Sequence, residues 1–161
     1  MDKFARRYGN VRVLAILALA CFVVPSSWGR LGETFDQVQG RYGLLVKVDN
    51  VTRPDCPQYF FQKDGMEIRV RFVNGKSAQE IFSASSSDMR NAAAEILSSN
   101  AEGSTWSSIA VGKSTEYIRA DGKATAQYLR PKKSEHGDRP AVLQIQTLEF
   151  NRAFNPDGVQ F

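Results

Sequence analysis

The sequence predicts an α+β protein in which two short helices pack on an antiparallel sheet of about six strands. Two segments with helical spacing alternate with runs of short strands that are separated by Asp-Gly and Asn-Gly pairs. Such two-residue turns are typical of hairpins between antiparallel strands. Residues 30–150 are enough for one compact domain with an ordinary core. Residues 151–161 are predicted to be an irregular C-terminal tail.

Residues 1–29 have the pattern of a signal peptide. Four basic residues lie ahead of the uncharged run Val13 to Val24, and small residues follow it. Ser27 and Gly29 would occupy positions −3 and −1 of a cut before Arg30. The apolar run is shorter than the roughly 20 residues that cross a bilayer. We therefore expect an exported protein, either periplasmic or secreted.

Cys21 offers an alternative to simple cleavage. The segment Ala18-Leu19-Ala20-Cys21 loosely resembles a bacterial lipobox, in which the cysteine is lipidated and becomes the first residue. The residues that follow Cys21 are apolar, whereas a lipidated cysteine is normally followed by a polar linker. Contact with a membrane is expected only if Cys21 is lipidated or the leader is not removed.

The charge balance argues against a nucleic-acid-binding protein. The whole chain has a net charge of +4, but four basic residues and one acidic residue lie in the first 29 positions. The remaining chain has 17 basic and 16 acidic residues, a net charge of +1. Binding to nucleic acid needs a concentrated basic face. We therefore predict no nucleic-acid partner.

Thr34 marks the start of the first predicted helix. Its hydroxyl can accept hydrogen bonds from free backbone amides, and Gln37 stands three residues on, which completes a capping box. Val38 and Tyr42 share one helical face, and Gly43 can adopt the left-handed conformation that ends helices. These residues predict a helix of about two to three turns.

An antiparallel meander is predicted to follow this helix. In the run 66–72, apolar residues alternate with Glu67, Arg69 and Arg71, which is the pattern of a strand with one buried and one wet face. Asp-Gly and Asn-Gly pairs supply the turns on either side of this run. The predicted strands cover residues 44–48, 59–61, 66–72 and 76–83.

The second half of the chain repeats this plan. A helix is predicted from about Asp88 to Ser99, where apolar residues recur at helical spacing. Strands are predicted at 116–120, 123–130 and 142–150, and a polar loop covers Pro131 to Pro140. The two helix starts lie 54 residues apart and the two Asp-Gly turns 57 residues apart. The spacing predicts a tandem repeat of one helix and one meander.

The sequence has no motif for a catalytic centre, a metal site or a cofactor. It contains no glycine-rich phosphate loop, no G-x-S-x-G elbow and no H-E-x-x-H. One histidine and one cysteine remain after the leader, too few to hold zinc. We predict no metal, no cofactor and no catalysis. The alternative is a small hydrolase or thiol enzyme in which His136 activates Cys56, although Asp55 beside the thiol disfavours the thiolate.

A protein-binding surface is the function that the sequence favours. The wet face of the strand with Glu67, Arg69 and Arg71 carries charges for a partner. Trp106 is a second candidate, because tryptophan is enriched where binding energy is concentrated, although it could instead pack beside the end of the second helix. We predict a non-catalytic interaction module of the cell envelope or periplasm, whose partner is another envelope or secreted protein.

The segment GRLGETFDQVQGRYG resembles two groups of small exported bacterial proteins. These are the outer-membrane assembly lipoproteins of the SmpA/OmlA (BamE-like) type and the proteins with a β-lactamase-inhibitor-like fold. The resemblance rests on Gly32, Thr34, Val38, Tyr42 and Gly43. It implies helices packed on an antiparallel sheet. For the lipoproteins it also implies a lipid anchor and a role in outer-membrane assembly.

Overall fold

The elements of the fold occur in two similar series. The computed structural model describes residues 28–133 and 137–154, and every structural statement below concerns these residues. The first series is α1 (Phe35–Tyr42), β1 (Lys47–Asp49), β2 (Gln58–Lys63), β3 (Met66–Val73) and β4 (Lys76–Ala84). The second series is α2 (Ser86–Ser99), β5 (Trp106–Val111), β6 (Ser114–Arg119), β7 (Ala124–Leu129) and β8 (Ala141–Thr147). A third helix, α3 (Leu148–Phe154), follows β8.

All eight strands belong to one antiparallel sheet in the order β1-β2-β3-β4-β8-β7-β6-β5. Each series forms one contiguous half of the sheet, and equivalent strands stand at equal distances from the centre. The halves join where β4 pairs with β8, from Gln79 opposite Gln146 to Ala84 opposite Ala141. The predicted α+β class and antiparallel sheet are confirmed. The described part of the chain has three helices and eight strands, not two helices and about six strands.

The first helix begins and ends at the predicted residues. The Thr34 hydroxyl accepts a hydrogen bond from the Gln37 amide at 3.4 Å, and the Gln37 side chain accepts one from the Thr34 amide at 2.9 Å. Gly43 closes the helix with a φ of +88°, a conformation that costs glycine little. Val38 and Tyr42 are buried against the sheet. Capping is local chemistry, so the sequence alone located this helix.

The main core lies between the sheet and the helices α1 and α2. Helix α1 places Phe35 among the rings of Tyr59, Phe61 and Phe72, with centroids 5.4 to 6.4 Å apart. Helix α2 contributes a buried stripe, and the central strands contribute the inward side chains. The most deeply buried large side chains of this core are Val38, Phe61, Ile68, Val70, Phe82, Met89, Ile96, Leu143 and Ile145. Burial of such apolar surface is the main force that holds the helices on the sheet.

Near the C-terminus, the last strand and the start of the tail differ from their predicted structure. The last strand ends at Thr147 instead of residue 150, because the Thr147 hydroxyl accepts a hydrogen bond from the Phe150 amide at 3.1 Å and so caps α3. Residues 151–154, predicted as irregular tail, complete this helix, and Phe150 and Asn151 are buried. The rest of the predicted tail, residues 155–161, lies outside the described residues.

Strand β5 and the start of β1 also differ from the prediction. No strand is predicted between residues 100 and 115, but Trp106–Val111 is the edge strand β5. Its side chains are mostly exposed, so the alternation that reveals a half-buried strand is missing. At the other edge the strand was expected over 44–48, whereas β1 covers Lys47–Asp49. Leu44 and Val46 are apolar, yet 85% and 59% exposed.

A buried carboxyl group lies under the N-terminal segment. Glu80 points from β4 into the main core and is 1% exposed. Its Oε2 accepts a hydrogen bond from the Tyr42 hydroxyl at 2.8 Å, while Oε1 has no hydrogen-bond partner among the described residues. Burial raises the pKa of Glu80 from 4.5 to about 7, against the lowering effect of the Tyr42 hydrogen bond. The carboxyl group is therefore protonated over much of the acidic range.

Trp28 and Gly29 are part of the folded structure. The Gly29 carbonyl accepts a hydrogen bond from Asn100 Nδ2 at 2.7 Å, and the Trp28 indole donates one to Glu95 at 3.0 Å. A Cβ atom on Gly29 would lie 1.8 Å from Glu80 Oε2, so only glycine fits this position. The end of the leader after Gly29 stays a prediction. A cut there would remove these contacts. Residues 1–27, with Cys21 and most of the predicted leader, lie outside the described residues.

No helix in the ranges 28–133 and 137–154 is both long enough and apolar enough to cross a membrane.

A chain that begins at Arg30 is expected to be less stable than a chain that begins at Trp28. It lacks the hydrogen bond from Asn100 to Gly29 and the packing of the indole ring, which together stabilise the fold by about 1 to 3 kcal/mol. Urea unfolding of the two chains measures the difference. Equal midpoints would show that Trp28 and Gly29 add nothing to stability. The substitution Gly29→Ala in the longer chain should also destabilise it.

The stability of the protein is expected to fall between about pH 4.5 and about pH 7. The pKa of Glu80 is raised in the folded state, so folding favours the protonated group, and this contribution disappears as the pH rises through about 7. The loss is at most about 3 kcal/mol. The pKa values of Asp49 and Asp121 are lowered, so these groups affect stability only below about pH 4.

The variant Glu80→Gln isolates this effect, because an amide cannot ionise but can still accept a hydrogen bond from Tyr42. Unfolding free energies measured across pH should be flat for this variant in that window. The matched control Glu116→Gln, at a half-buried position of β6, should keep the slope of the parent protein. A slope that persists in Glu80→Gln would contradict the assignment.

Candidate functional site

One face of the sheet is free of the helices α1 and α2, and we call it the outer face. It is defined by a row of side chains that stand opposite one another on neighbouring strands, namely Arg69, Ile81, Gln144, Gln127 and Glu116. Side chains alternate along a strand, so this row lies opposite the buried residues of the main core. The wet face predicted for Glu67, Arg69 and Arg71 is this outer face.

A groove on the outer face combines apolar and positively charged side chains. Its volume is about 460 Å³, within the range of small-ligand pockets. We call it the basic groove. Its apolar lining consists of Ile81, Leu129, Pro140 and Val142, and its charged lining consists of Arg69, Lys113, Arg130, Lys132 and Arg139. Ser83 completes the lining, and none of these described residues is acidic.

The floor of the basic groove is made by the central strands. Val142 of β8 stands directly opposite Ser83 of β4 on one side and opposite Leu129 of β7 on the other. Ile81 stands next along β4 on the same face. These strands carry the main core on their inner face, so the floor is rigid. Leu129 is 41% exposed, a large apolar side chain left open to solvent.

Two of the cations are held by a short backbone ladder. The amide of Lys132 donates to the Arg139 carbonyl at 3.2 Å, and the amide of Arg139 donates to the Lys132 carbonyl at 2.8 Å. This bridge closes the base of the loop between β7 and β8. It brings together residues seven positions apart, so that both flank the floor. Lys113 comes from the β5–β6 turn, and thus from another part of the sheet.

Arg69 is the predicted residue that reaches the basic groove. Its Nε lies 2.6 Å from Glu67 Oε1, and its guanidinium carbon lies 5.7 Å from the centre of the Phe60 ring. The two side chains of the ion pair are 37% and 40% exposed, so the pair adds little stability but restrains Arg69. No ion pair within the described ranges involves the other four cations of the groove. Their positive potential therefore favours an anion.

Arg71 belongs to a different set of contacts. Its Nη1 donates to Gln79 at 3.3 Å, and Gln79 in turn donates to Gln146 at 2.9 Å. Gln146 also donates to Asn151 of α3, which covers this end of the outer face. Arg71 Nε is buried without a hydrogen-bond partner among the described residues. The three predicted charges on β3 are thus divided, and Arg71 does not line the groove.

Trp106 packs beside the end of the second helix. Its indole nitrogen donates to the Leu97 carbonyl of α2 at 2.8 Å, and its ring is partly buried against the main core. It does not line the basic groove. Its role as an anchor for a partner stays a prediction, and the hydrogen bond to Leu97 accounts for its polar atom without one.

Cys56 lies in a small second core under α3. It is 1% exposed and packs with Ala78 and Phe150. Burial raises the pKa of its thiol, and the nearby charge of Arg71 only partly offsets this. A buried, protonated thiol is a poor nucleophile. His136, its predicted partner in the enzyme alternative, lies outside the described residues.

Sequence reasoning missed most of the basic groove. Arg130 ends a predicted strand and Lys132 lies in the predicted polar loop, and neither is predicted as a binding residue. Lys113 follows a strand that was not predicted, and Arg139 is far along the chain from Arg69. The available signal was the concentration of cations at the two ends of the loop 131–140. Among residues 28–133 and 137–154, no three His, Cys, Asp or Glu side chains are placed to hold a metal ion.

Comparison with known proteins gives little beyond distant structural likeness. No family model and no curated protein matches the sequence. One similar structure is a cysteine-rich secretory protein from Staphylococcus aureus subsp. aureus Mu50, with a TM-score of 0.42 and 12% identity over 75% of this chain and 46% of that one. Another is an extracellular protein containing an SCP domain from Bacillus anthracis str. Ames, with a TM-score of 0.40 and 9% identity over 94% of this chain and 51% of that one.

The chain spans about half the length of each of these proteins. Likeness at this level carries no argument about function. The predicted relation to the SmpA/OmlA (BamE-like) lipoproteins and to the β-lactamase-inhibitor-like fold is wrong: no family model matches the sequence, and the similar structures are a cysteine-rich secretory protein and an extracellular protein with an SCP domain. The residues on which that resemblance rests have a simpler explanation. Thr34 caps α1 and Gly43 ends it, and capping residues of this kind occur in unrelated helices.

The Cys56 thiol is expected to react slowly in the native protein. In a chain that begins at Trp28, a thiol reagent such as DTNB should modify Cys56 at least about 100-fold more slowly under native conditions than in denaturant, because modification requires local opening. The variant Val51→Cys provides a control, since residue 51 is 85% exposed and its thiol should react at once. Rapid native labelling of Cys56 would instead favour the thiol-enzyme alternative.

Proposed function

We propose that the protein is an exported, non-catalytic module that binds another envelope or secreted protein through the basic groove. The observation that carries this proposal is the composition of the groove lining. Five cations surround an apolar floor, and no acidic side chain is among the described lining residues. The N-terminal pattern of basic residues, apolar run and small residues supports export.

The groove suits a polypeptide segment that combines carboxylates with an apolar side chain. The floor offers Ile81, Leu129 and Val142 to an apolar side chain, which is removed from water when it binds. Around this floor, arginine guanidiniums can bind carboxylates with two parallel hydrogen bonds. Complementary charge of this kind raises the rate of association and selects the partner. Three of the five cations are arginines, the residue type enriched where binding energy is concentrated.

The same lining is less suited to nucleic acid. Proteins that bind single strands stack the bases on exposed aromatic side chains along a basic track. The described residues of the basic groove include no aromatic side chain. Two of the cations are fixed at the base of one loop instead of forming a long stripe. A short anionic segment of a protein is the better match in size and chemistry.

Reversal of charge in the groove is expected to weaken binding of an acidic peptide. The probe is a synthetic peptide in which leucines alternate with aspartate and glutamate, labelled for fluorescence anisotropy. The double variant Arg130→Glu, Lys132→Glu should bind it at least about 10-fold more weakly than the parent protein. Affinity of the parent should also fall as salt rises, since the cations lie at the surface.

The matched control is Lys47→Glu, Lys76→Glu, which makes the same change of charge at exposed positions outside the groove. It should bind the peptide within about twofold of the parent, since distant surface charges are screened. Equal loss in both double variants would show that only net charge matters and would contradict the proposal. Urea unfolding of each variant separates loss of binding from loss of the fold.

A further inference from the structure

The two edges of the sheet differ in how well they are protected. The β1 edge has three paired residues, Lys47–Asp49, and both of its ends are charged. The β5 edge has six residues, WSSIAV, and none of them is charged. Ile109 and Val111 on β5 are 61% and 46% exposed. Natural proteins usually shorten or charge an exposed edge, because its free backbone groups can pair with another strand. Among the described elements, only the β5 edge lacks this protection.

The free backbone groups of β5 can be assigned from its pairing with β6. The amide of Ala120 donates to the Thr105 carbonyl at 2.8 Å, so this antiparallel pair is a hydrogen-bonded one. Hydrogen-bonded and non-hydrogen-bonded pairs alternate along an antiparallel ladder. The N–H and C=O groups that point away from β6 therefore belong to Trp106, Ser108 and Ala110. They form a row of three donors and three acceptors that is symmetric about Ser108.

We propose that β5 pairs with β5 of a second copy of this chain, in antiparallel orientation, about a two-fold axis at Ser108. In this register Ser108 faces Ser108 of the second copy, and Trp106 faces Ala110. All six outward groups of each strand then take part in hydrogen bonds between the copies. The two eight-stranded sheets become one continuous sheet of sixteen strands. This inference is independent of the proposed function, because it uses a different surface.

The chemistry of β5 favours a second copy over an unrelated strand. A two-fold axis brings identical side chains together, which would be unfavourable for a charged strand because like charges would face each other. Strand β5 is uncharged, so this penalty is absent. On the outer face Ile109 becomes a diagonal neighbour of its counterpart, which removes both from water. The short, charged β1 edge does not offer a second pairing site, so the assembly closes as a dimer.

The test is sedimentation velocity of the chain that begins at Trp28, over protein concentrations from about 5 to about 500 µM. The proposal expects the sedimentation coefficient to rise with concentration from that of a monomer to that of a dimer. The variant Ser108→Lys places two ammonium groups opposite each other and should stay a monomer throughout this range. The variant Ser108→Thr keeps an uncharged hydroxyl and should dimerise like the parent protein.

Disulfide trapping tests the register. In a hydrogen-bonded antiparallel pair the Cα atoms are about 5.5 Å apart, which a disulfide can bridge. Under mild oxidation, Ser108→Cys should form a covalent dimer on a non-reducing gel. Ala110→Cys lies on the same strand face, but the equivalent cysteine of the second copy lies four residues away along the ladder. This variant should therefore form several-fold less covalent dimer than Ser108→Cys.

Three results would overturn the proposal. They are a monomer at every concentration, a dimer that Ser108→Lys leaves intact, and equal trapping of the two cysteine variants. A protein that stays monomeric alone but adds a strand from a different protein to β5 would overturn it as well, since the proposed occupant is a second copy. Circular dichroism of Ser108→Lys and Ser108→Cys should show that the fold is retained, because Ser108 is an exposed position on an edge strand.

Discussion

The pairing of β4 with β8 is the contact on which the rest of the structure depends. Within the described residues, each half makes a helix and four strands, with α3 added after the second half, and β4–β8 is the only strand-to-strand connection between the halves. The central pair also carries Phe82, Leu143 and Ile145 into the main core. An isolated half would expose the inner strand of its half-sheet, with a row of unpaired backbone groups. Joining the halves removes both of these exposed edges.

The central pair explains how polar groups come to be buried beside it. Glu80 stands opposite Ile145 in this pair and points into the main core, where a charged carboxylate is costly. The cost is reduced by the Tyr42 hydroxyl and by protonation of the carboxyl group. On the other face, Gln79 and Gln146 form a hydrogen bond across the same pair and are covered by α3. The cost of burying polar groups is thus reduced differently on the two faces of the central pair. The inner face has a carboxyl group that can be protonated, and the outer face has a network of neutral amides.

Local chemistry made the first half of the fold predictable. The capping residues of α1, the alternation in 66–72 and the Asp-Gly and Asn-Gly turns each act within a few residues, so the sequence reveals them directly. Strand β5 was missed because its side chains are exposed and show no alternation, and α3 was missed because Thr147 ends a strand and caps a helix at once. The elements that depend on contacts between distant residues were the ones that the sequence did not reveal.

In the candidate site, too, the sequence revealed only what depends on neighbouring residues. Arg69 was predicted because it lies on a clearly alternating strand. Its companions come from a turn, a strand end and the base of a loop, and only the order of strands brings them together. Trp106 and Arg71 are residue types that often bind partners, but the Trp106 indole nitrogen donates to Leu97 and Nη1 of Arg71 donates to Gln79. The alternation of residues therefore identified the outer face of the sheet, but neither alternation nor residue type revealed the lining of the groove.

The basic groove crosses the seam between the two halves of the chain. Arg69, Ile81 and Ser83 belong to the first half, and the rest of its lining belongs to the second half. The groove therefore exists only where the two halves meet, just as an active site at a subunit interface exists only in the dimer. If the two halves descend from one duplicated unit, the ancestral unit could form such a groove only by pairing with another copy. Fusion of the two copies would then have freed each side of the groove to change independently. In this chain the two sides are unequal, because Arg69 comes from the first half and the other four cations come from the second.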